Sequence, residues 1–172
     1  MEIRKSTPAD LPRILEIYAG ARAFMAAHGN PRQWGATGWP PESLIRQDIA
    51  AGDSYVCLDV EEIAAVFFFR QGRDVEPAYR DIQEGRWIGD DVYGVVHRIA
   101  ADSRFRGAGS FCIDWAFSRC GHLRMDTHGD NTVMQRLLTK LGFRYCGIIH
   151  VEEDDDPRLA YEKLPDTQEE MR

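Results

Sequence analysis

The chain has 172 residues and a formal net charge of −7, a size that suits one domain with a single substantial core. The acidic balance argues against general nucleic-acid binding, because phosphate backbones are held by clustered lysine and arginine. No apolar run approaches the length of a membrane span, and the N-terminal residues lack a secretory apolar segment. These features predict a cytoplasmic protein with neither nucleic acid nor a membrane among its partners.

Hydrophobic periodicity and helix-capping residues predict the elements of the chain. Their order, β-α-α-β-β-β-α-β-α-β-β, describes an α/β (mixed α+β) fold with helices on one sheet. Thr7 is the predicted N-cap of the first helix, and Thr132 and Gln135 form a predicted capping box for the last. The predicted strands are Glu2–Lys5, Tyr55–Leu58, Ile63–Arg70, Val92–Ala101, Leu123–Thr127, Phe143–Val151 and Leu159–Leu164, and the predicted helices run from Pro8 to Gly29 and over Glu42–Ala51, Ser110–Cys120 and Thr132–Leu141.

Three further features of the sequence bear on the choice of function. The loop over residues 30–41 carries Trp34 and Trp39, which either fold over a pocket or pin a long connection to the core. The acidic run Glu152–Asp156 is interpreted as a solvated hairpin tip. The four cysteines are widely spaced in apolar contexts, so buried reduced thiols are expected. The cysteines and histidines lack zinc-ligand spacing, so no metal is expected.

The stretch over residues 104–110, Arg-Phe-Arg-Gly-Ala-Gly-Ser, joins a predicted strand to a predicted helix. Such a turn leaves backbone N–H groups free at the positive end of the helix dipole, where a phosphate can bind. Gly107 and Gly109 lack the Cβ atoms that would keep a phosphate away. The P-loop and dinucleotide patterns fail, because no lysine precedes Ser110 and Cys112 replaces the third glycine. The stretch therefore predicts a pyrophosphate-binding loop, with a simple tight connection as the alternative.

Three motifs, taken together, point to one family. They are the Arg104-x-x-Gly107-x-Gly109 turn, the strand 99–101 directly before it, and Asn131 followed by a helix and Leu-Gly-Phe at 141–143. The chain from the first strand to about Leu164 thus resembles the GCN5-related N-acetyltransferases (GNAT). The resemblance implies one domain over 1–164 with a flexible tail over 165–172. It also implies a mostly antiparallel sheet that splays between two parallel strands.

The same resemblance implies acetyl-CoA as the acyl donor, without a metal. Backbone groups of the strand before the turn would pair with the pantetheine arm, the amides of the turn would hold the pyrophosphate, and an asparagine would reach the pantetheine. The implied cofactor-binding residues are Ile99, Ala101, Arg104, Phe105, Arg106, Gly107, Ala108, Gly109, Ser110 and Asn131.

His97 is the candidate general base for deprotonating the acceptor amine. Histidine has an unperturbed pKa of about 6.5, close to working pH. Regular strand alternation predicts that His97 shares a face with Ile99 and Ala101, and it resembles a strand histidine of the serotonin N-acetyltransferase branch. The alternative is a histidine hydrogen-bonded in the core. Leu138 stands where many family members carry a tyrosine that protonates the leaving thiolate.

These features predict direct acetyl transfer to a primary amine of a small molecule or protein, with Gln33 and Trp34 beside the acceptor. Without the tyrosine, Tyr145, Tyr161 or water would protonate the thiolate, or the thiolate would leave unassisted. The absence of the tyrosine also leaves a second function open, a non-catalytic module that binds CoA or acyl-CoA. A nucleotide-binding protein is a distant third. The acceptor, the acyl-chain preference and the choice between monomer and homodimer are not readable from the sequence.

Overall fold

The computed structural model describes residues 1–166, and within them seven strands form one sheet in the order β1-β2-β3-β4-β5-β7-β6. Neighbouring strands are antiparallel except β4 and β5, which are parallel and joined by α3. The predicted order of elements and the mixed fold are confirmed. The elements are β1 (Glu2–Lys5), α1 (Leu11–Ala27), α2 (Glu42–Ala51), β2 (Ser54–Asp59), β3 (Glu62–Gly72), β4 (Tyr93–Ala101), α3 (Ala108–Cys120), β5 (Leu123–His128), α4 (Thr132–Lys140), β6 (Arg144–His150) and β7 (Pro157–Lys163).

Helix boundaries follow the predicted caps with two differences. A 3-10 turn over Pro8–Asp10 precedes α1, so the regular helix starts three residues later than predicted. The N-cap of α4 is Asn131, whose Oδ1 accepts a hydrogen bond from Met134 N at 3.1 Å. The predicted cap at Thr132 is wrong because that residue is already helical, while the side chain one position earlier reaches the free amide.

Apolar side chains pack on both faces of the sheet. On one face, α3 and α4 cover a cluster that includes Phe67, Met125 and Leu138. On the other face, α1 and α2 cover a second cluster, and a 3-10 turn over Pro77–Arg80 covers a third. The cysteines are free thiols, three buried and one partly buried, as predicted. Within residues 1–166, no helix combines the length and the apolar character needed to cross a bilayer.

The parallel pair in the middle of the sheet is short. β4 and β5 pair at only two positions, Gly94 with Leu123 and Val95 with Arg124. Beyond them β4 stays paired with β3, and β5 with β7, so the two strands part toward their C-terminal ends. The gap lies at the carboxyl end of parallel strands, where open α/β sheets bind ligands.

A β-bulge interrupts β4 just after His97. Val66 pairs with Ala100 and Phe68 with His97, so Arg98 and Ile99 together oppose Phe67. Arg98 has a φ of 48°, in the left-handed region. The extra residue shifts the alternation of the strand by one position.

This shift overturns one prediction about the site. Ile99 and Ala101 pack with the cluster under α3, whereas Ala100 packs with the cluster under α1. The His97 ring instead lies near Phe68 and Tyr79, with ring centroids 5.8 and 5.9 Å apart. The prediction that His97 shares a face with Ile99 and Ala101 is therefore wrong.

Most of the predicted tail over 165–172 cannot be compared with the structure. Residues 167–172 lie outside the described residues. The division into a domain over 1–164 and a tail stays a prediction.

Candidate functional site

A cleft of about 570 Å³ opens where β4 and β5 part. Its walls come from both strands, the turn that leads into α3, the start of α4, α1 and the loop after α1. Of the thirteen site residues predicted from the sequence, all but Arg104 line this one cleft. Those that do are Gln33, Trp34, His97, Ile99, Ala101, Phe105, Arg106, Gly107, Ala108, Gly109, Ser110 and Asn131.

The turn before α3 presents free donors to the cleft. Gly107 is the N-cap of α3 with a φ of 80°, in the left-handed region that glycine adopts without strain. Within the described part of the chain, the N–H groups of Gly109 and Ser110 make no hydrogen bond to backbone oxygen outside the helix. A Cβ on Gly109 would meet only Leu137 Cδ2, at 3.9 Å, so the space beside it is open. These features fit a bound pyrophosphate.

Asp102 locks the shape of this turn. Its side chain accepts hydrogen bonds from the Arg104 amide at 2.9 Å and from the Arg13 guanidinium at 2.7 Å. The Arg104 guanidinium also pairs with it, at 3.0 Å, and lies along the outside of the turn. Hydrogen bonds from Arg104, and then from Arg13, hold the pKa of Asp102 well below its usual range. Arg106, rather than Arg104, is the arginine of this turn that lines the cleft.

Arg98, the bulge residue with the left-handed backbone, is fixed by contacts to its side chain and to its carbonyl group. The Arg98 guanidinium donates two hydrogen bonds to Asp48, at 2.9 and 3.0 Å, and lies 4.7 Å from the centroid of the Phe68 ring. The Tyr18 hydroxyl donates to the Arg98 carbonyl at 2.7 Å. Strained backbone persists where its surroundings determine it in this way. The bulge therefore fixes the direction in which β4 leaves β5.

His97 lies between two carboxylates on the face of the gap that carries Tyr79 and α1. Its Nε2 is 2.8 Å from Glu76 Oε2, and its Nδ1 is 3.7 Å from Asp126 Oδ2. Burial alone would raise the pKa of Glu76, but the hydrogen bond and charge of His97 hold it below its ordinary value. Burial and Asp126 raise the pKa of Tyr79, so the Tyr79 hydroxyl stays protonated and donates a hydrogen bond to Asp126 at 2.7 Å. His97 is thus hydrogen-bonded, yet it borders the cleft.

The acidic turn between β6 and β7 is part of the site. Arg158 is fully buried and binds Asp154 at 2.8 Å and Glu153 at 3.4 Å. Glu153 lines the cleft, and burial, together with the charge of Asp126, raises its pKa despite Arg158. The interpretation of this run as a solvated hairpin tip is wrong for Glu153 and Asp154, which pair with a buried arginine, whereas Glu152 and Asp155 are exposed.

The loop after α1 connects to the start of α4 through one amide oxygen. Gln33 Oε1 accepts hydrogen bonds from Asn30 Nδ2 at 2.8 Å and from Asn131 Nδ2 at 3.0 Å. Trp34 is buried edge-to-face against Tyr18, with ring centroids 5.8 Å apart, and it also lines the cleft. The two interpretations of the loop are therefore compatible, since Trp34 pins the connection and forms a wall of the pocket.

Three carboxylates of the site, Glu76, Asp126 and Glu153, are absent from the sequence-based prediction. Asp126 had a signal, because it stands near the end of a parallel strand, where ligands bind. Glu76 had none, since it precedes a short 3-10 turn in a polar, irregular segment. Leu138, at the family's tyrosine position, is fully buried in the core. Neither Tyr145 nor Tyr161 lines the cleft.

Comparisons with known proteins add the following findings. None of the known protein-family profiles matches the chain, and no curated protein is significantly similar to it. Solved structures are similar over nearly its whole length. An acetyltransferase of the GNAT family from Streptococcus agalactiae 2603 is 32% identical, with a TM-score of 0.82 and coverage of 96% of each chain.

Two further structures share the fold at lower identity. The ribosomal-protein-alanine N-acetyltransferase of Brucella melitensis is 18% identical, with a TM-score of 0.60 and coverage of 95% of this chain and 99% of that one. Arabidopsis thaliana NAA60, solved with a bisubstrate analogue, is 14% identical, with a TM-score of 0.64 and coverage of 94% and 96%. At these identities the likeness concerns the fold alone.

Proposed function

The chain belongs to the GNAT family of acetyltransferases, and from this premise we propose that it is a cytoplasmic N-acetyltransferase. It would transfer the acetyl group of acetyl-CoA directly to a primary amine of a small molecule or protein. The observation that carries the proposal is the parting of β4 and β5, which brings the free amides of the glycine turn and the His97 carboxylate cluster into one cleft.

The residues on the α3 side fit the donor. The bound cofactor would supply an activated acetyl group as a thioester. The amides of Gly109 and Ser110 would hold its pyrophosphate, with Arg106 adding positive charge. The backbone of Ile99 and Ala101, on the part of β4 without a β5 partner, would pair with the pantetheine arm. We propose Asn131 for the same arm, with its side chain oriented by the α4 cap and Gln33.

The residues on the other side of β4 fit a cationic amine. When the Nε2–H group of His97 donates a hydrogen bond to Glu76, the Nδ1 atom carries the free lone pair and faces Asp126. An ammonium group near Nδ1 would be attracted by the Asp126 carboxylate and would lose a proton to His97 before attack. Glu153 adds a third carboxylate to the cleft wall, and Gln33 and Trp34, which also line the cleft, would lie beside the acceptor.

The first test separates donor binding from nucleotide binding. We expect CoA and acetyl-CoA to raise the thermal unfolding temperature of the protein, and ATP to raise it less. Gly109→Ala should weaken CoA binding roughly tenfold, because its methyl group enters the phosphate space, without destabilising the free protein. Gly20→Ala is the matched control, since Gly20 is also a helical glycine with open space beside it but does not line the cleft.

The second test asks for turnover. Release of CoA thiol is measured with acetyl-CoA and a panel of mono-, di- and polyamines, amino acids and peptide amines. We expect release with at least one cationic amine and its loss in His97→Gln. Binding of CoA without release across the panel would instead support a non-catalytic CoA-sensing module, which Leu138 at the tyrosine position favours. Stronger stabilisation by ATP than by CoA would contradict both functions.

A further inference from the structure

Thr127 carries a buried hydroxyl group that the fold leaves without a partner. The residue is 1% exposed, and its Oγ1 makes no hydrogen bond to any described residue. It lies on β5, three positions beyond Arg124, the last residue paired with β4, and it lines the cleft. Burying a hydroxyl group without a hydrogen-bond partner is unfavourable. We therefore expect a bound ligand to supply the missing partner.

Strand alternation places Thr127 on the donor side of the gap. Leu123 and Met125 precede it at two-residue intervals on β5, and both pack with the cluster under α3 and α4. Asp126, which lies between Met125 and Thr127, points toward the opposite face, where it contacts Tyr79 and His97. The parting strands thus present a hydroxyl to the donor and a charged cluster to the acceptor.

No other hydroxyl is comparably placed. Among the described residues that line the cleft, the hydroxyl side chains are those of Ser103, Ser110 and Thr127. Both serines lie on the glycine turn or at the start of α3, at the phosphate end. Leu138 supplies no hydroxyl to this side of the sheet. Of these three residues, Thr127 is the one that lies on a parted strand, away from the phosphate end.

We propose that Thr127 donates a hydrogen bond to the CoA sulfur as the thiol leaves, an assignment that rests on the proposed function. In the transfer, the acceptor nitrogen forms a bond to the acetyl carbon, and the carbon–sulfur bond breaks with its electron pair moving to sulfur. His97 has already taken the ammonium proton, so the second proton, which the nitrogen loses after attack, passes to water, and the thiolate takes a proton from water. The Thr127 O–H stabilises the sulfur while it carries negative charge.

The test uses Thr127→Val, which keeps the shape and removes the hydroxyl, with Thr127→Ser as the conservative control. The first readout is the pKa of the thiol of bound CoA, measured by ultraviolet difference spectroscopy, which needs no acceptor. We expect it to rise by about one unit in Thr127→Val and to stay near the wild-type value in Thr127→Ser. With an acceptor from the amine panel, Thr127→Val should lower kcat roughly tenfold at nearly unchanged KM for acetyl-CoA.

Thermal stability separates this role from a structural one. Replacing an unpartnered buried hydroxyl by a methyl group should leave the free protein as stable as the wild type or more stable, while catalysis falls. An unchanged thiol pKa and kcat in Thr127→Val, with CoA still bound, would overturn the inference and leave the proposed function intact. A loss of stability that Thr127→Ser does not restore would also overturn it. CoA binding to neither protein would overturn the proposed function as well.

Discussion

Two histidine–glutamate pairs flank the central parallel strands, and they have nearly the same geometry. His97 Nε2 lies 2.8 Å from Glu76, and His122 Nε2 lies 2.6 Å from Glu162. The side chains of the first pair are 16% and 25% exposed, and those of the second 7% and 0%. Access to solvent, rather than the pairing itself, distinguishes them.

The sheet explains the difference. His122 precedes β5 at the closed end of the parallel pair, where its carbonyl accepts a hydrogen bond from Gly94 N at 2.7 Å. Glu162 there also binds Arg124, whose guanidinium lies 4.1 Å from the centroid of the Tyr93 ring. His97 lies on β4 beyond the last paired residue, where the strands have parted. The His122–Glu162 pair is therefore buried in the fold where the strands are joined, whereas His97 of the other pair borders the cleft where they separate.

The largest expected effect is on stability, from Glu162→Gln. This change leaves Arg124 and His122 buried without their carboxylate, so the free energy of unfolding should fall by about 3–5 kcal/mol. Glu76→Gln is the matched variant. Its partner is partly exposed and an amide can still accept the His97 bond, so we expect a loss below about 1 kcal/mol. Urea unfolding at neutral pH measures both, and equal losses would remove the distinction between the pairs.

The next effect is on rate, from His97→Gln. If His97 accepts the amine proton, kcat should fall about a hundredfold at saturating acetyl-CoA, with little change in CoA affinity. His122→Gln should reduce stability and leave kcat of the folded protein within about twofold of the wild type. Thiol-release assays on both variants, below the unfolding temperature of the less stable one, make the comparison. A similar kcat for His97→Gln and wild type would show that another group deprotonates the acceptor.

The smallest effect concerns acid stability. Burial opposes ionisation of Glu162, but the His122 hydrogen bond and the other donors hold its pKa below the ordinary value of 4.5. Because the folded pKa is lower than the unfolded one, this carboxylate stabilises the protein above about pH 4.5. That contribution is lost as pH falls through the lower folded pKa. Glu162→Gln should therefore show a smaller drop in unfolding free energy between about pH 6 and pH 3 than the wild type. An equal drop would mean that other carboxylates carry the acid dependence.

Much of the architecture was predictable because its signals are local. Periodicity placed the strands and helices, and the glycines of the stretch 104–110 marked the turn at the start of α3. The predicted residues of β4 and the glycine turn line one cleft for the same reason, since a strand and the turn that follows it must be neighbours in space. Gln33, Trp34 and Asn131 reach this cleft only through tertiary packing. Their roles in binding stay predictions.

What the sequence did not reveal depends on distant contacts. The bulge at Arg98 is stabilised by hydrogen bonds with Asp48 and Tyr18, which are 50 and 80 residues away in the sequence. No local sequence pattern therefore predicts it. Glu76 reaches His97 from an irregular segment, and the acidic turn takes its role from the buried Arg158. Several of these contacts join residues that are far apart in the sequence, so the periodicity that predicts helices and strands does not predict them.

The bulge in β4 has a consequence for how the protein could change its chemistry. By inserting one residue between His97 and Ile99, it turns these two side chains toward opposite faces of one strand. Under the proposed function, substitutions among Glu76, Asp126 and Glu153 would alter which amine is accepted without moving the backbone that would bind the donor. Acceptor selectivity could then diverge among relatives while donor binding is kept.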